Sequence, residues 1–213
     1  MILAVGDISG KGISAALLMA TIHSAVRAYT IERAPYVPEH AAVGAAIGRG
    51  GSLANDGPDV SPAPLLGLLN HHLYQSTPDA KYATLFLGIY DGATRRLTYS
   101  NGGHLPPILI SEDGSSRLLD CGGTVVGLLD NMDFPEATVQ LRRGDLLIAY
   151  TDGVTEPESD YGEFGEERLV QIVRENRHLP LERITTLVTA AVDEWIGDRE
   201  QPDDVTLVLV RPR

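Results

Sequence analysis

Cys121 is the only cysteine in 213 residues. A lone thiol excludes an internal disulfide and a thiolate zinc cluster, which leaves Cys121 to be read as a small buried hydrophobe. No apolar run approaches the roughly 20 residues that a membrane-spanning helix needs. Basic residues are also outnumbered: 17 Lys and Arg stand against 29 Asp and Glu, for a formal net charge of -12. A surface of that sign repels phosphate backbones, so a nucleic-acid partner is not expected, and nothing favours association with a bilayer. The opening MILAVGD has neither the basic segment nor the apolar length of a signal peptide. These absences together lead to the expectation of a cytoplasmic protein.

What is present is ordinary for a globular chain. Hydrophobic residues make up 43% and charged residues 22%, enough to build one sizeable core, so residues 1–213 are expected to form one domain. MILAV reads as a buried strand ending at Gly6-Asp7. After Gly12 the period becomes helical, with Leu18, Ile22, Ala25 and Tyr29 on one stripe. Residues 35–63 are rich in Gly, Pro and Ala and read as a flexible surface insertion. PLLGLLNHHLYQ then gives a second helix, with Pro64 suited to its first turn.

Strand periodicity follows. YATLFLGIY and RRLTYSN flank the turn DGAT, PPILIS and SRLLD flank EDGS, and ATVQL and GDLLIAYTDG continue the series. EERLVQIV and LERITTLVTAAVDEW are helical, the second with Ile184, Leu187, Ala191 and Trp195 on one face, and VTLVLV is a closing strand. Helices, then hairpins, then helices with one more strand indicate an α+β fold of antiparallel strands with helices on the outer faces.

The stretch VGDISGKGISAALLMA raises the question of a phosphate-binding loop. Such a loop needs G-x-x-x-x-G-K-[ST], whose last hydroxyl holds Mg²⁺. Here Gly6 and Gly10 are one residue too close, and Gly12 follows Lys11 where the hydroxyl belongs. The carboxylates offer another reading. Asp7 ends one apolar strand, Asp152 ends DLLIAY, and Asp203 and Asp204 precede VTLVLV. Asp-Gly is a common turn dipeptide and an Asp pair is often a solvated cap, so each signal alone is weak. All three flank apolar strands that can meet at one sheet edge, and hard divalent cations prefer such oxygen ligands.

GDISGKGISAALLMA, LNHHLYQSTPDAKYATLFLGIYDGATRRLTYSNGGHLPPILI, GDLLIAYTDGVTE, GEFGEERL and DDVTLVLV resemble, in the same order, the blocks of the bacterial metal-dependent protein phosphatases. These are the relatives of the sporulation stage II protein E phosphatase and of stress-response sigma-factor regulators, distantly akin to type-2C phosphatases. The resemblance implies an αββα sandwich with two Mn²⁺ or Mg²⁺ ions at one edge. It assigns Asp7 to the bridging position and the backbone carbonyl of Ile8 to the second ion. It gives Asp152 and Asp203 to the first ion, with Asp204 outside the ligand set and Lys11 either solvated or facing a phosphate. NGGHLPP fits another family block, in which His104 reads as a structural histidine held in a tight turn. His71 and His72 need no functional explanation, and Glu156 is a neighbour of the ligands at most.

The resemblance implies hydrolysis of phosphoserine or phosphothreonine by a hydroxide bridging the ions, without a covalent intermediate. Cys121 fits this, since LLDCGGTVVG lacks the C-x5-R pattern of cysteine phosphatases. The implied substrate is a phosphorylated regulatory protein of the STAS anti-anti-sigma type in a partner-switching pathway. The first two helices form a switch or dimer surface in such relatives, which leaves a homodimer open. Relatives carry a further second-ion aspartate in an upstream G-G-D-x-[YF] strand. Met1 stands only six residues before Asp7, so the expectation is a truncated start lacking the first strands of the fold. Two other classes stay open: a catalytically weak pseudophosphatase that binds a partner, and a nucleotide hydrolase.

Overall fold

A computed structural model describes residues 1–10, 12–31, 61–76, 81–201 and 203–212. Lys11 and nearly all of the 35–63 segment lie outside the described residues. Two sheets stack face to face with helices outside each, the αββα arrangement that the resemblance implies.

The first sheet runs β1 (Ile2–Ile8), β2 (Ala83–Asp91), β3 (Arg96–Gly102) and β6 (Gly122–Gly123), with β7 (Ala137–Gln140) also paired to β3. β1, β2 and β3 are antiparallel, and β6 lies parallel to β3. The second sheet runs β11 (Leu207–Val210), β8 (Leu146–Tyr150), β4 (Ile108–Ile110) and β5 (Ser116–Leu118), antiparallel throughout. A small hairpin of β9 (Glu158–Ser159) and β10 (Gly162–Glu163) stands apart.

Alternation along the strands explains the layers. In β2, Phe86 faces the other sheet with Leu3, Val5, Tyr99, Leu109 and Leu147. Its neighbours Leu85 and Leu87 face Leu65, Leu66, Leu69 and Leu73 of α2 (Pro62–Ser76) and Leu18 and Ile22 of α1 (Ile13–Ile31). β8 has no polar face because it is covered on both sides. Its Ile148 and Tyr150 pack under α4 (Glu166–Glu175) and α5 (Leu181–Ile196), while Leu147 and Ala149 point between the sheets.

Local differences from the sequence reading have local causes. β1 continues through Asp7 to Ile8, because the ladder with β2 runs on to Ala83. α2 begins at Pro62, two residues before Pro64. In α5 the buried line is Ile184, Val188, Val192 and Ile196, steps of four, whereas Leu187, Ala191 and Trp195 are half-buried. Asp152 does not end a strand. It opens a single helical turn, α3 (Asp152–Thr155), after Thr151.

Candidate active site

Asp7 is the next-to-last residue of β1 and stands opposite Thr84 of β2. Its approach is possible because Gly6 lacks a side chain: a Cβ there would lie 2.4 Å from the Thr84 carbonyl oxygen. The side chain of Ile8 is buried in the helix-facing core, which fixes the strand end from below. Beyond it Gly10 has φ 93° and Gly12 φ 91°, left-handed positions that glycine adopts without a Cβ clash. The chain thereby turns from β1 into α1, as the sequence suggests.

Asp152 is held from the other sheet. Thr151 donates its backbone N–H to the Thr206 carbonyl (3.1 Å), and its hydroxyl donates to the Asp204 carbonyl (3.1 Å) and accepts from the Thr206 N–H (3.0 Å). Gln201 adds donations to the Gly153 carbonyl (3.1 Å) and the Asp203 carbonyl (2.9 Å). These bonds tie the turn bearing Asp152 to the segment bearing Asp203. Asp152 Oδ1 accepts from Gly153 N–H, and Asp203 Oδ1 from Asp204 N–H, each at 2.8 Å.

Two adjoining cavities join the three carboxylates. The smaller, about 230 Å³, is lined by Asp7, Thr84, His104, Thr151, Asp152 and Glu156 among others. The larger, about 340 Å³, has Asp152, Gly153, Glu156, Glu158, Arg199 and Asp203 on its walls. Asp152 and Glu156 belong to both. Asp204, by contrast, lines neither, and its carbonyl is engaged by Thr151.

The charges shape the site's electrostatics. Partial burial and then the carboxylates of Asp152, Glu163 and Asp203 push the Glu156 carboxyl above its ordinary range. Burial pushes the His104 imidazole below its own, opposed by the Tyr150 backbone and by the negative charges of Asp7 and Asp152. His104 is the histidine in a tight turn that NGGHLPP predicts. Asn101 clamps it by accepting from its N–H and donating to its carbonyl, both at 2.8 Å. His71 pairs instead with Asp130 on the outside of α2 (2.9 Å).

Sequence reading missed Thr84, Thr151, Gln201 and Arg199, since no spacing rule marks a lone Thr, Gln or Arg. Arg199 donates to the Glu158 carbonyl (2.9 Å) and pairs with Asp160, pinning the β9–β10 hairpin beside the larger cavity.

Divalent-ion binding can be tested on the donor set. Asp7, Asp152, Asp203 and the Ile8 carbonyl offer only hard oxygen, the class that Mg²⁺ and Mn²⁺ select. Among the described residues no three His, Cys, Asp or Glu side chains are gathered closely enough to hold an ion. The donor chemistry fits the ions, although the carboxylates are not drawn together into a preformed cluster.

The family model described as Stage II sporulation protein E (SpoIIE) matches residues 1–213. Protein IcfG of Synechocystis sp. is 30% identical over 213 residues, covering 97% of this chain and 33% of that protein. Phosphoserine phosphatase RsbU of Bacillus subtilis is 24% identical over 210 residues, covering 98% of this chain and 55% of its own length. The chain thus spans about a third to about half the length of these relatives. The SiaA-PP2C domain of Pseudomonas aeruginosa superposes with a TM-score of 0.75 at 18% identity, covering 99% of this chain and 75% of that one. The catalytic domain of the serine/threonine protein phosphatase PstP, a neighbour with the same fold, is solved with two manganese ions. It has a TM-score of 0.58 at 16% identity and covers 98% of this chain and 86% of its own.

Proposed function

Because the chain belongs to the Stage II sporulation protein E (SpoIIE) family, we propose that it is a metal-dependent protein phosphatase acting on phosphoserine or phosphothreonine. One observation carries the reading: Asp152 lines both cavities, with Asp7 on the wall of one and Asp203 on the wall of the other. The name of the phosphoserine phosphatase RsbU supports the reaction, and the manganese in the PstP domain supports the cofactor.

Asp7, the Ile8 carbonyl, Asp152 and Asp203 are the groups that would hold two Mn²⁺ or Mg²⁺ ions. When bound, such ions lower the pKa of water and neutralise charge on phosphoryl oxygens. The chain's own residues do the rest. β1 and β8 place Val5 and Ala149 in the core between the two sheets, with Asp7 on β1 and Asp152 on the helical turn that follows β8. Thr151 and Gln201 hold the third in register with the second. The carboxylates on the walls of the larger cavity, Asp152, Glu156, Glu158, Glu200 and Asp203, repel a phosphate dianion unless cations intervene. Arg199 is the cation on the wall of the larger cavity, where it offsets part of that repulsion.

The substrate we infer is a phosphorylated regulatory protein of the STAS anti-anti-sigma type, and the protein acts in the cytoplasm through partner switching. Residues 1–213 act as one phosphatase domain in this reading. The test is phosphate release from a phosphoserine peptide and from p-nitrophenyl phosphate, with Mn²⁺, with Mg²⁺ and with EDTA. Turnover with either metal that stops in EDTA is the expected result. No turnover with either metal sinks the enzymatic reading and leaves partner binding as the chain's role. Faster hydrolysis of a phosphorylated STAS protein than of the generic peptide is expected if the inferred substrate is right.

A further inference from the structure

Behind Asp7 lies a connected set of groups that the ligand assignment does not use. Thr84 faces Asp7 across the β1–β2 ladder. Its Oγ1 accepts the Asp7 backbone N–H at 3.3 Å and lies 3.5 Å from the Asp7 carbonyl. The same oxygen is 2.9 Å from Nδ1 of His104. Whichever tautomer the ring adopts, the hydroxyl is held between the imidazole and the Asp7 backbone.

The ring itself has little freedom. His104 is 6% exposed, and the Asn101 clamp fixes its backbone. Gly103, at φ 72°, presses so close to Val125 that a Cβ would meet its backbone nitrogen at 2.8 Å. Nε2 is buried without a hydrogen-bond partner, beside the backbone of Tyr150, two residues before Asp152. The imidazole therefore stands between the strand end that carries Asp7 and the one that leads to Asp152. A polar ring buried at this depth gives up hydration that an apolar side chain would not. Its placement is then explained by what Nδ1 holds.

We propose that Thr84 and His104 are positioning residues, the imidazole fixing the Thr84 hydroxyl and the hydroxyl fixing the backbone at Asp7, so that its carboxylate faces the cavity it shares with Asp152. The inference deepens the phosphatase reading and rests on it for the purpose of the device. Groups that orient a ligand from behind typically change metal affinity by about 10–100-fold when removed.

The experiment compares Thr84→Val, Thr84→Ser and His104→Leu with the wild type by two measurements. The first is amide hydrogen exchange at Asp7 in metal-free protein, followed by NMR. The second is Mn²⁺ affinity by calorimetry without substrate. Thr84→Val, which keeps the shape and removes the hydroxyl, is expected to speed exchange at Asp7 and weaken Mn²⁺ binding about 10-fold or more. Thr84→Ser is expected to restore both. His104→Leu acts through the same hydroxyl and gives the same direction by a second route. With p-nitrophenyl phosphate at saturating Mn²⁺, kcat is expected to fall in Thr84→Val while KM stays unchanged. Wild-type exchange at Asp7 in both Thr84→Val and His104→Leu overturns the proposal. A wild type that binds no Mn²⁺ removes the phosphatase reading instead, and the exchange comparison still decides whether the pair positions Asp7.

Discussion

Gly153 and Asp204 touch backbone to backbone: a Cβ on Gly153 would stand 2.3 Å from the Asp204 carbonyl oxygen and 3.1 Å from that of Asp203. The glycine after Asp152 is therefore a packing requirement, in addition to its common use beside aspartate in turns. Gly153→Ala is expected to push the 203–204 segment away from α3. The cost is on the order of 1–3 kcal/mol, the usual range for an extra methyl forced into a packed contact. Urea unfolding of the metal-free protein reads the loss, and weaker Mn²⁺ binding than in the wild type reads the displacement of Asp203. A variant with wild-type values in both would mean that the loop yields freely.

Asp152→Asn keeps the size of the side chain and the acceptor for the Gly153 N–H while removing the charge. We expect an unchanged circular dichroism spectrum and a fall in Mn²⁺-dependent kcat of about 100-fold or more, since Lewis-acid stabilisation is worth several kcal/mol. Unaltered turnover in this variant would refute the assignment of Asp152.

Asn70 of α2 is a structural counterpart. It is 1% exposed, accepts the Gly127 N–H at 2.8 Å and donates to the Leu129 carbonyl at 2.9 Å. Asn70→Ala leaves both backbone groups without their partner and is expected to cost about 1–3 kcal/mol for each that stays buried and unsatisfied. Calorimetric unfolding checks it. Because Asn70 lines neither cavity, kcat at a temperature where the variant is folded should stay close to wild type.

The pH dependence follows from His104. Burial lowers its pKa below the ordinary value of 6.5, so the unfolded chain takes up its proton before the folded one does. Its contribution to stability is complete above about pH 6.5 and is lost as the pH falls from there through the folded value. Urea unfolding of the metal-free protein at a series of pH values between 7.5 and about 5 should show that decline. His104→Asn should flatten it, and an equal slope in both proteins would mean that the ring does not remain neutral.

Much of the architecture was legible from periodicity. The run LLIAY reads as a strand and is one, although only the structure shows that its side chains divide between the two cores. β2 was legible from its β-branched and aromatic content. What failed was phase and boundary. The face of α5 was misread by one position because both Leu187 and Val188 are apolar, and only packing against β8 decides which points inward. Asp152 was legible as an element boundary but not as the start of a helical turn, since that turn is set by Thr151 bonding to a segment some fifty residues later. Asp7, Asp152 and Asp203 could be singled out because each adjoins an apolar strand. Thr84 and His104 could not be linked, because their partnership is created by the β1–β2 register and the Asn101 clamp, and neither leaves a local pattern.

The sheets also impose an order in time. Asp7 lies on β1 and Asp203 just before β11, so a chain leaving the ribosome exposes one carboxylate long before the other is made. β8 can pair with β4 early, but the segment that carries Asp203 is fastened to Thr151 only when β11 joins β8. Contacts between such distant stretches form late because closing the intervening chain is entropically costly. Until β11 has been made and has docked, the segment that carries Asp203 is not held beside Asp152. Under the proposed function, any capacity to hold a divalent ion arises only after β11 has docked.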